Sequence, residues 1–130
     1  MTLVLDASVA FWACGAEGRF EGLDDELVAP WLMWSECTSA LRGAVWRREL
    51  AAPAATTMLD LLAQAPVQPR LHPMLRHRAL RISTELGWAK TYDAEYVALA
   101  ELLESRVVTL DARLRRGADG LGLVVALEEL

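Results

Sequence analysis

Two short apolar runs that each end at an aspartate constrain the fold of this chain more than any other feature. Residues 2–5 form one run and precede Asp6, and residues 106–110 form a β-branched run and precede Asp111. Such runs, each followed by a helical pattern, are typical of the buried strands of a parallel sheet. We therefore expect two central strands whose carboxyl ends carry Asp6 and Asp111.

The rest of the chain alternates in the same way. Further strands are predicted at residues 27–29, 67–70 and 123–125, and a loop at residues 17–26. Helices are predicted at residues 7–14, 31–50, 53–65, 74–86, 91–105 and 112–116. This alternation indicates an α/β fold with a parallel central sheet and helices on both of its faces. The length of 130 residues suits one domain, and we expect a single domain spanning residues 1–130.

Composition argues against a disordered chain and against a membrane protein. Hydrophobic residues make up 54% of the sequence and charged residues 24%, which suits a packed core under a solvated surface. No uncharged apolar run approaches the roughly 18 residues that cross a bilayer, and the amino-terminal run lacks the basic flank of a secretory signal. We expect a cytoplasmic protein with no membrane association.

Cysteine and tryptophan both point to the interior. Cys14 and Cys37 lack the paired spacing of a zinc site or a redox motif, so we expect small buried hydrophobic residues. Five tryptophans are many for this length. Most are expected in the core, and any that are exposed would suit a partner surface.

Four acids stand at positions that favour metal chemistry. Asp6 and Asp111 follow predicted central strands, where open parallel sheets place their ligand sites. Glu36 is the only charged residue between Leu27 and Leu41, beside an apolar helical stripe, and Asp93 begins the helix that precedes the second central strand. Converging hard oxygen ligands suit Mg²⁺ or Mn²⁺, and the natural chemistry is metal-assisted phosphoryl transfer.

Simpler roles are open for each acid. Asp6, Asp93 and Asp111 each precede or begin a helix, where aspartate is a favoured cap. Glu36 lies within its helix, and its simpler role is pairing with Arg42 or Arg47. The net charge of −5 argues at first against a nucleic-acid partner. Without these four acids, however, the chain would be close to neutral, so the overall charge leaves the partner open.

Four blocks of sequence resemble one known family in order and spacing. They are Leu3-Val4-Leu5-Asp6-Ala7-Ser8-Val9, Leu27-Val28-Ala29-Pro30 leading to Glu36 and Leu41-Arg42, Thr91-Tyr92-Asp93-Ala94-Glu95-Tyr96-Val97-Ala98-Leu99-Ala100-Glu101, and Val107-Val108-Thr109-Leu110-Asp111. Together they closely resemble the VapC toxins of bacterial VapBC toxin–antitoxin modules, which are PIN-domain nucleases. The resemblance spans almost the whole chain.

The resemblance implies a three-layer α/β/α sandwich and a Mg²⁺- or Mn²⁺-dependent endoribonuclease. It implies an acidic cluster of Asp6, Glu36, Asp93 and Asp111, with Asp6, Asp93 and Asp111 as metal ligands and Ser8 and Thr109 in support. As a hypothesis, metal-activated water cleaves an RNA phosphodiester. The arginines expected to contact RNA phosphate are Arg42, Arg113, Arg115 and Arg116, although an ordinary solvated surface explains each equally well.

The resemblance also implies protein partners. We expect a homodimer and inhibition by a cognate VapB-type antitoxin, bound in a groove lined partly by the first helices. The alternative is a PIN-fold protein without activity that serves as an antitoxin-binding or repressor-complex subunit. The intact acidic set favours the nuclease.

Overall fold

One parallel sheet organises the chain. The computed structural model describes residues 1–23 and 25–130. In these residues the strands are β1 (Thr2–Leu5), β2 (Glu26–Ala29), β3 (Val67–Pro69), β4 (Arg106–Thr109) and β5 (Val124–Ala126). Their order is β3-β2-β1-β4-β5, and every neighbouring pair is parallel. All strands therefore end at the same side of the sheet, which we call the carboxyl edge.

Helices cover the sheet in two groups. Within the described residues they are α1 (Ala7–Ala13), α2 (Leu32–Trp46), α3 (Ala52–Gln64), α4 (Leu75–Leu86), α5 (Tyr92–Leu102) and α6 (Ala112–Gly117). α2 packs against α1 and α3, whereas α5 packs against α4 and lies on β1 and β4. The α/β fold with a parallel central sheet is confirmed as a three-layer α/β/α sandwich. None of these described helices has both the length and the apolar character needed to cross a bilayer.

The order of the strands reverses at β1 and β4. From β1 the chain builds outward through β2 and β3, then returns to the other side of β1 to form β4 and β5. Branched side chains fill both layers beneath this point, and Val4, Val28, Val107 and Val108 are fully buried. Open parallel sheets bind ligands at such a reversal of strand order, outside the carboxyl ends. Asp6 and Asp111 follow β1 and β4 at that place.

Two helices end earlier than predicted. α2 ends at Trp46 rather than near residue 50, and α5 ends at Leu102 rather than at residue 105. Arg48 and Glu104 follow with positive φ angles of 60° and 52°. In each case a backbone N–H three residues beyond the last helical residue caps the last turn, from Glu49 to the Ala44 carbonyl and from Ser105 to the Ala100 carbonyl. These are Schellman closures made without glycine, so neither helix end carries the residue that usually marks one.

Other predicted boundaries agree with the structure or fall partly outside it. α4 ends at Gly87, as predicted, and this glycine has a φ of 71°. The loop predicted at residues 17–26 consists of turns as far as Leu23. Asp24 lies outside the described residues, and Glu26 already belongs to β2.

The predicted interior positions are confirmed for cysteine but only in part for tryptophan. Cys14 and Cys37 are both buried and free. Three of the five tryptophans, Trp12, Trp34 and Trp88, pack against the core, but each is only partly buried. Trp31 and Trp46, at the two ends of α2, are 58% and 73% exposed. An indole is large and is rarely enclosed completely.

Candidate active site

Asp6 is the buried centre of the site. It is 5% exposed and occupies the N-cap of α1, directly after β1. Its Oδ1 accepts hydrogen bonds from the Ser8 hydroxyl at 2.6 Å and from the Val9 N–H at 3.1 Å. Its Oδ2 accepts a short hydrogen bond from the Thr109 hydroxyl. The capping role is therefore real, but capping uses only one of the two carboxylate oxygens.

Ser8 and Thr109 join β1 to β4 at the carboxyl edge. Thr109, the last residue of β4, is fully buried, and its Oγ1 accepts from the Asp111 N–H at 2.9 Å. The Oγ of Ser8 accepts from the Leu110 N–H at 2.9 Å. Because each hydroxyl both donates to Asp6 and accepts from the chain after β4, the two strands fix the carboxylate together. Both residues predicted to support the site lie in contact with Asp6.

Asp111 also caps a helix. Its Oδ1 accepts from the backbone N–H groups of Arg113 at 2.9 Å and Leu114 at 3.4 Å, at the start of α6. The Nε of Arg113 lies 3.9 Å from the same oxygen. These three contacts all involve Oδ1, so Asp111, like Asp6, uses one oxygen to begin its helix.

Glu36 does not pair with either arginine considered in the sequence. The Tyr96 hydroxyl on α5 donates to its Oε1 at 2.5 Å, across from α2. Arg47 pairs with Glu49 at 3.0 Å, and Arg42 is exposed six residues beyond Glu36. The half-buried Glu36 is therefore held by a neutral phenol, which leaves its charge without an arginine partner.

Asp93 is not a helix cap. It is the second residue of α5, and the N-cap position belongs to Thr91, whose side chain makes no capping bond. The side chain of Asp93 is exposed at the start of the helix. The capping role thus holds for Asp6 and Asp111 but is wrong for Asp93, which lies instead in the first turn of α5, where its charge suits the helix dipole.

The acids lie close enough to affect one another's ionisation. Burial raises the pKa of Asp6, and the charge of Asp111 adds to this, against three hydrogen bonds that lower it. Partial burial also raises the pKa of Asp93, the charge of Asp111 raises it further, and the charge of Arg113 lowers it. For Glu36, burial raises the pKa most, the Tyr96 bond lowers it, and the charges of Asp93, Asp6 and Glu95 raise it. Protons or cations would relieve this repulsion.

The donor set fits a hard divalent cation. In the residues that the structure describes, no three side chains of His, Cys, Asp or Glu are grouped tightly enough to enclose an ion as they stand. Mg²⁺ needs no such cage, because it usually takes one or two carboxylates and keeps several waters. Carboxylates brought to one edge, with no histidine or cysteine among them, therefore suit Mg²⁺ or Mn²⁺ better than Zn²⁺.

Comparison with known proteins identifies the family. The PIN domain family matches residues 3–120. This chain is a PIN-domain protein. Relatives of this PIN-domain chain include VapC ribonuclease Mb0985 of Mycobacterium bovis and ribonuclease VapC9 of Mycobacterium tuberculosis. Each is 35% identical over 114 residues, or 86% of this chain and 87% of the relative. The crystal structure of PAE2754 from Pyrobaculum aerophilum matches with a TM-score of 0.76 at 25% identity, over 99% of this chain and 94% of that one. The resemblance to VapC proteins and the PIN-like fold are confirmed.

The arginines predicted to contact RNA differ in their surroundings in this PIN-domain structure. Arg115 is engaged within the chain, with Asp119 at 2.5 Å and Glu129 at 2.8 Å. Arg113 is exposed beside Asp111, and Arg116 is exposed on the same helix. Arg42 lies further along α2. Only Arg113 stands directly at the carboxyl edge of the acid cluster.

Sequence reasoning gave no role to Tyr96, the contact of Glu36. Tyr96 is almost completely buried within a run of apolar residues on α5. A buried tyrosine normally needs a hydrogen-bond partner for its hydroxyl, and Tyr96 follows Asp93 by three residues, which places the two on neighbouring positions of one helix face. Those two facts together indicate a hydrogen-bond acceptor for the Tyr96 hydroxyl near Asp93. That acceptor is Glu36.

Proposed function

We propose that this PIN-domain chain is a metal-dependent endoribonuclease and the toxin of a type II toxin–antitoxin pair. One observation carries the proposal: the carboxylate of Asp6 is buried between β1 and β4, and this burial, with a smaller contribution from the charge of Asp111, raises its pKa. A buried carboxylate near other acids is costly unless a cation binds beside it. The mycobacterial relatives named as ribonucleases support RNA as the substrate.

Asp6, Asp93 and Asp111 are the proposed ligands of Mg²⁺ or Mn²⁺, and Glu36 completes the site or orients water. The ion supplies Lewis acidity and a lowered pKa for a water molecule. Asp6 and Asp111 each have an oxygen that capping does not use, and Asp93 has no capping bond at all. Oδ2 of Asp6 accepts from Thr109 but keeps a second lone pair, so each of the three carboxylates retains an acceptor for an ion.

The chain's own residues position the reacting groups. Thr109 and Ser8 hold Asp6 in one orientation, and Tyr96 fixes Oε1 of Glu36. Glu36, with its raised pKa, suits a group that accepts a hydrogen bond or a proton from attacking water. Water attacks phosphorus in line, the bond from phosphorus to the 3′ oxygen breaks, and the leaving oxygen takes a proton from solvent. The products carry 5′-phosphate and 3′-hydroxyl ends.

RNA cleavage by purified protein tests this function. Wild type, Asp6→Asn and the exposed control Asp60→Asn on α3 are compared in Mg²⁺, in Mn²⁺ and in EDTA. We expect metal-dependent cutting in wild type and Asp60→Asn, and loss of at least 100-fold in Asp6→Asn, consistent with losing one main stabiliser of the transition state. Equal activity in Asp6→Asn would mean a contaminating nuclease. No cutting of varied RNAs by any protein would favour the binding-only subunit.

The ends of the products test the route separately. A 5′-phosphate, detected by a ligase or exonuclease that requires it, agrees with attack by water. A 2′,3′-cyclic phosphate would mean that the ribose hydroxyl is the nucleophile, and the proposed roles of the acids would then be wrong.

A VapB-type antitoxin and a homodimer are the proposed partners. Support comes from the VapC relatives. Light scattering tests the dimer, and limited proteolysis with and without the antitoxin tests the groove. Protection of α1 and α2 on binding agrees with the proposal, and protection confined to other helices contradicts it.

A further inference from the structure

A small cleft beside the acid cluster is not used by the proposed chemistry. It has a volume of about 200 Å³ and is lined by Trp31, Leu71, His72, Pro73, Arg76 and His77, with Glu95 in one wall. Pockets for whole drug-sized ligands run from roughly 300 to 1,000 Å³. The cleft is therefore sized for a single ring system.

The cleft belongs to the same edge of the sheet as the acids. Trp31 follows β2, and Leu71 and His72 follow β3, so these residues lie at the carboxyl edge on the β2 and β3 side of Asp6. Glu95 lies on α5 between Asp93 and Tyr96, and its charge raises the pKa of Glu36. The cleft and the acid cluster thus share the edge of the sheet at which the proposed RNA substrate binds.

The chemistry of the lining suits an aromatic base beside a phosphate. The indole of Trp31 is 58% exposed and is supported by the half-buried Trp34, whose ring centre lies 6.0 Å away. Nδ1 of His72 accepts from the Met74 N–H at 3.0 Å, which leaves Nε2 as the donor. Arg76 supplies a permanent positive charge. Exposed aromatic rings flanked by cations are the usual platform for unpaired bases.

Glu95 gives the cleft a preference among bases. Burial raises the pKa of Glu95, and the nearby charge of Arg76 offsets part of that rise. A carboxylate accepts hydrogen bonds and cannot donate them, so it pairs with the amino group of a base such as cytosine. Uracil has no amino group, and the ring N–H that it offers instead lies between two carbonyl oxygens that repel a carboxylate.

We propose that this cleft binds one unpaired, amino-bearing base of the RNA, stacked on Trp31 and contacted by Glu95, with Arg76 at the adjoining phosphate. A protein partner fits less well, because protein interfaces are broad, about 800 Å² on each side. The cleft, in contrast, is small and has charged side chains in its walls. The proposal rests on the proposed ribonuclease function.

Binding of labelled RNA tests it, with Asp6→Asn present throughout to prevent cleavage. The probes are unstructured oligomers of cytidine and of uridine, followed by fluorescence anisotropy. Trp46, 73% exposed at the other end of α2, is the matched control. We expect Trp31→Ala to weaken cytidine binding roughly five- to 150-fold, the range given by loss of one stacked base. Trp31→Phe should retain most of the affinity, and Trp46→Ala should change it little.

The outcomes separate the cleft from the nuclease. If Trp31→Ala and Trp46→Ala bind RNA equally well and the wild type cleaves RNA, the proposed base-binding role of the cleft is overturned. The proposed nuclease function then stands. A change in oligomeric mass with unchanged RNA affinity in Trp31→Ala overturns it in favour of a protein interface. Equal affinity for cytidine and uridine, unaffected by Glu95→Gln, overturns the role of Glu95. If wild type neither binds nor cleaves RNA, both proposals fail together.

Discussion

Removing the Tyr96 hydroxyl should destabilise the protein in a way that depends on pH. Tyr96→Phe deletes one oxygen from a side chain that is 1% exposed, so the packing of the ring on α5 is kept. The lost hydrogen bond goes to Glu36, a charged group. Such bonds contribute about 1.5–3 kcal/mol. Because Glu36 is only half-buried and solvent screens it, we expect the lower end, about 1.5 kcal/mol at pH 7.

The sign of the pH dependence follows from the pKa of Glu36. The Tyr96 bond lowers that pKa by favouring the charged form, so its stabilisation is present where Glu36 is ionised and is lost as the pH falls through the folded pKa. The penalty of Tyr96→Phe should therefore be largest at neutral pH and should shrink in acid. At about 4 °C per kcal/mol for a chain of this size, Tm should fall by about 6 °C at pH 7.

Urea unfolding in EDTA at several pH values measures the effect. Tyr92→Phe is the matched control, because Tyr92 is on the same helix and is 53% exposed. It should cost less than about 0.5 kcal/mol at every pH. The reasoning is refuted if the two variants are equally stable, or if the cost of Tyr96→Phe grows as the pH falls.

Three further predictions concern the buried acid, its threonine and one helix end. In EDTA, wild type should lose stability as the pH rises through the raised pKa of Asp6, since the folded carboxyl holds its proton more tightly than the unfolded one. Asp6→Asn should flatten that part of the curve of stability against pH. It should also abolish stabilisation by Mg²⁺, which should reach about 2.7 kcal/mol in wild type at 100 times Kd. An equal gain in stability from Mg²⁺ in both proteins refutes this. Thr109→Val should lower the free energy of unfolding by about 1–3 kcal/mol, because it removes a hydrogen-bond donor to Asp6. Thr38→Val loses only an exposed hydrogen bond to its own helix and should be near neutral. Equal unfolding midpoints of the two variants would contradict this. Gly87→Ala at a φ of 71° should cost about 1–2 kcal/mol, and Gly120→Ala, with no neighbour within 4 Å and no positive φ, should not; thermal unfolding compares them.

The strands and the positions of the acids could be predicted because each carries a local signal. β1 and β4 are unbroken apolar runs, and an acid at the end of each is visible in one pass along the chain. α4 ends at a glycine and was bounded correctly. α2 and α5 are followed by Arg48 and Glu104 in left-handed conformations. Neither is a residue type that marks the end of a helix. Tertiary packing decides such ends, so local pattern extends the helix too far.

The partners of the acids could not be predicted in the same way. The sequence suggests Arg42 or Arg47 as an ion-pair partner of Glu36, because both follow it closely. Its hydrogen-bond partner is instead Tyr96, 60 residues away. Likewise, the cleft at Trp31 depends on residues after β3 that meet the start of α2 only in the folded sheet. Sequence shows which residues are available, and the order of the strands decides which of them meet.

The hydrogen bonds between Ser8, Asp6 and Thr109 have a consequence for the timing of synthesis. Asp6 and Thr109 are separated by 103 positions in the chain. β1 pairs with β2 and with β4, and the pairing with β4 can form only after β4 has been made. On the ribosome, where chains lengthen at about 5–20 residues per second, the first helices and strands emerge several seconds before residues 106–111. During that interval Asp111 is missing from the acid cluster and Asp6 lacks its Thr109 donor, so the proposed nuclease site is complete only once β4 and the residues after it have been made.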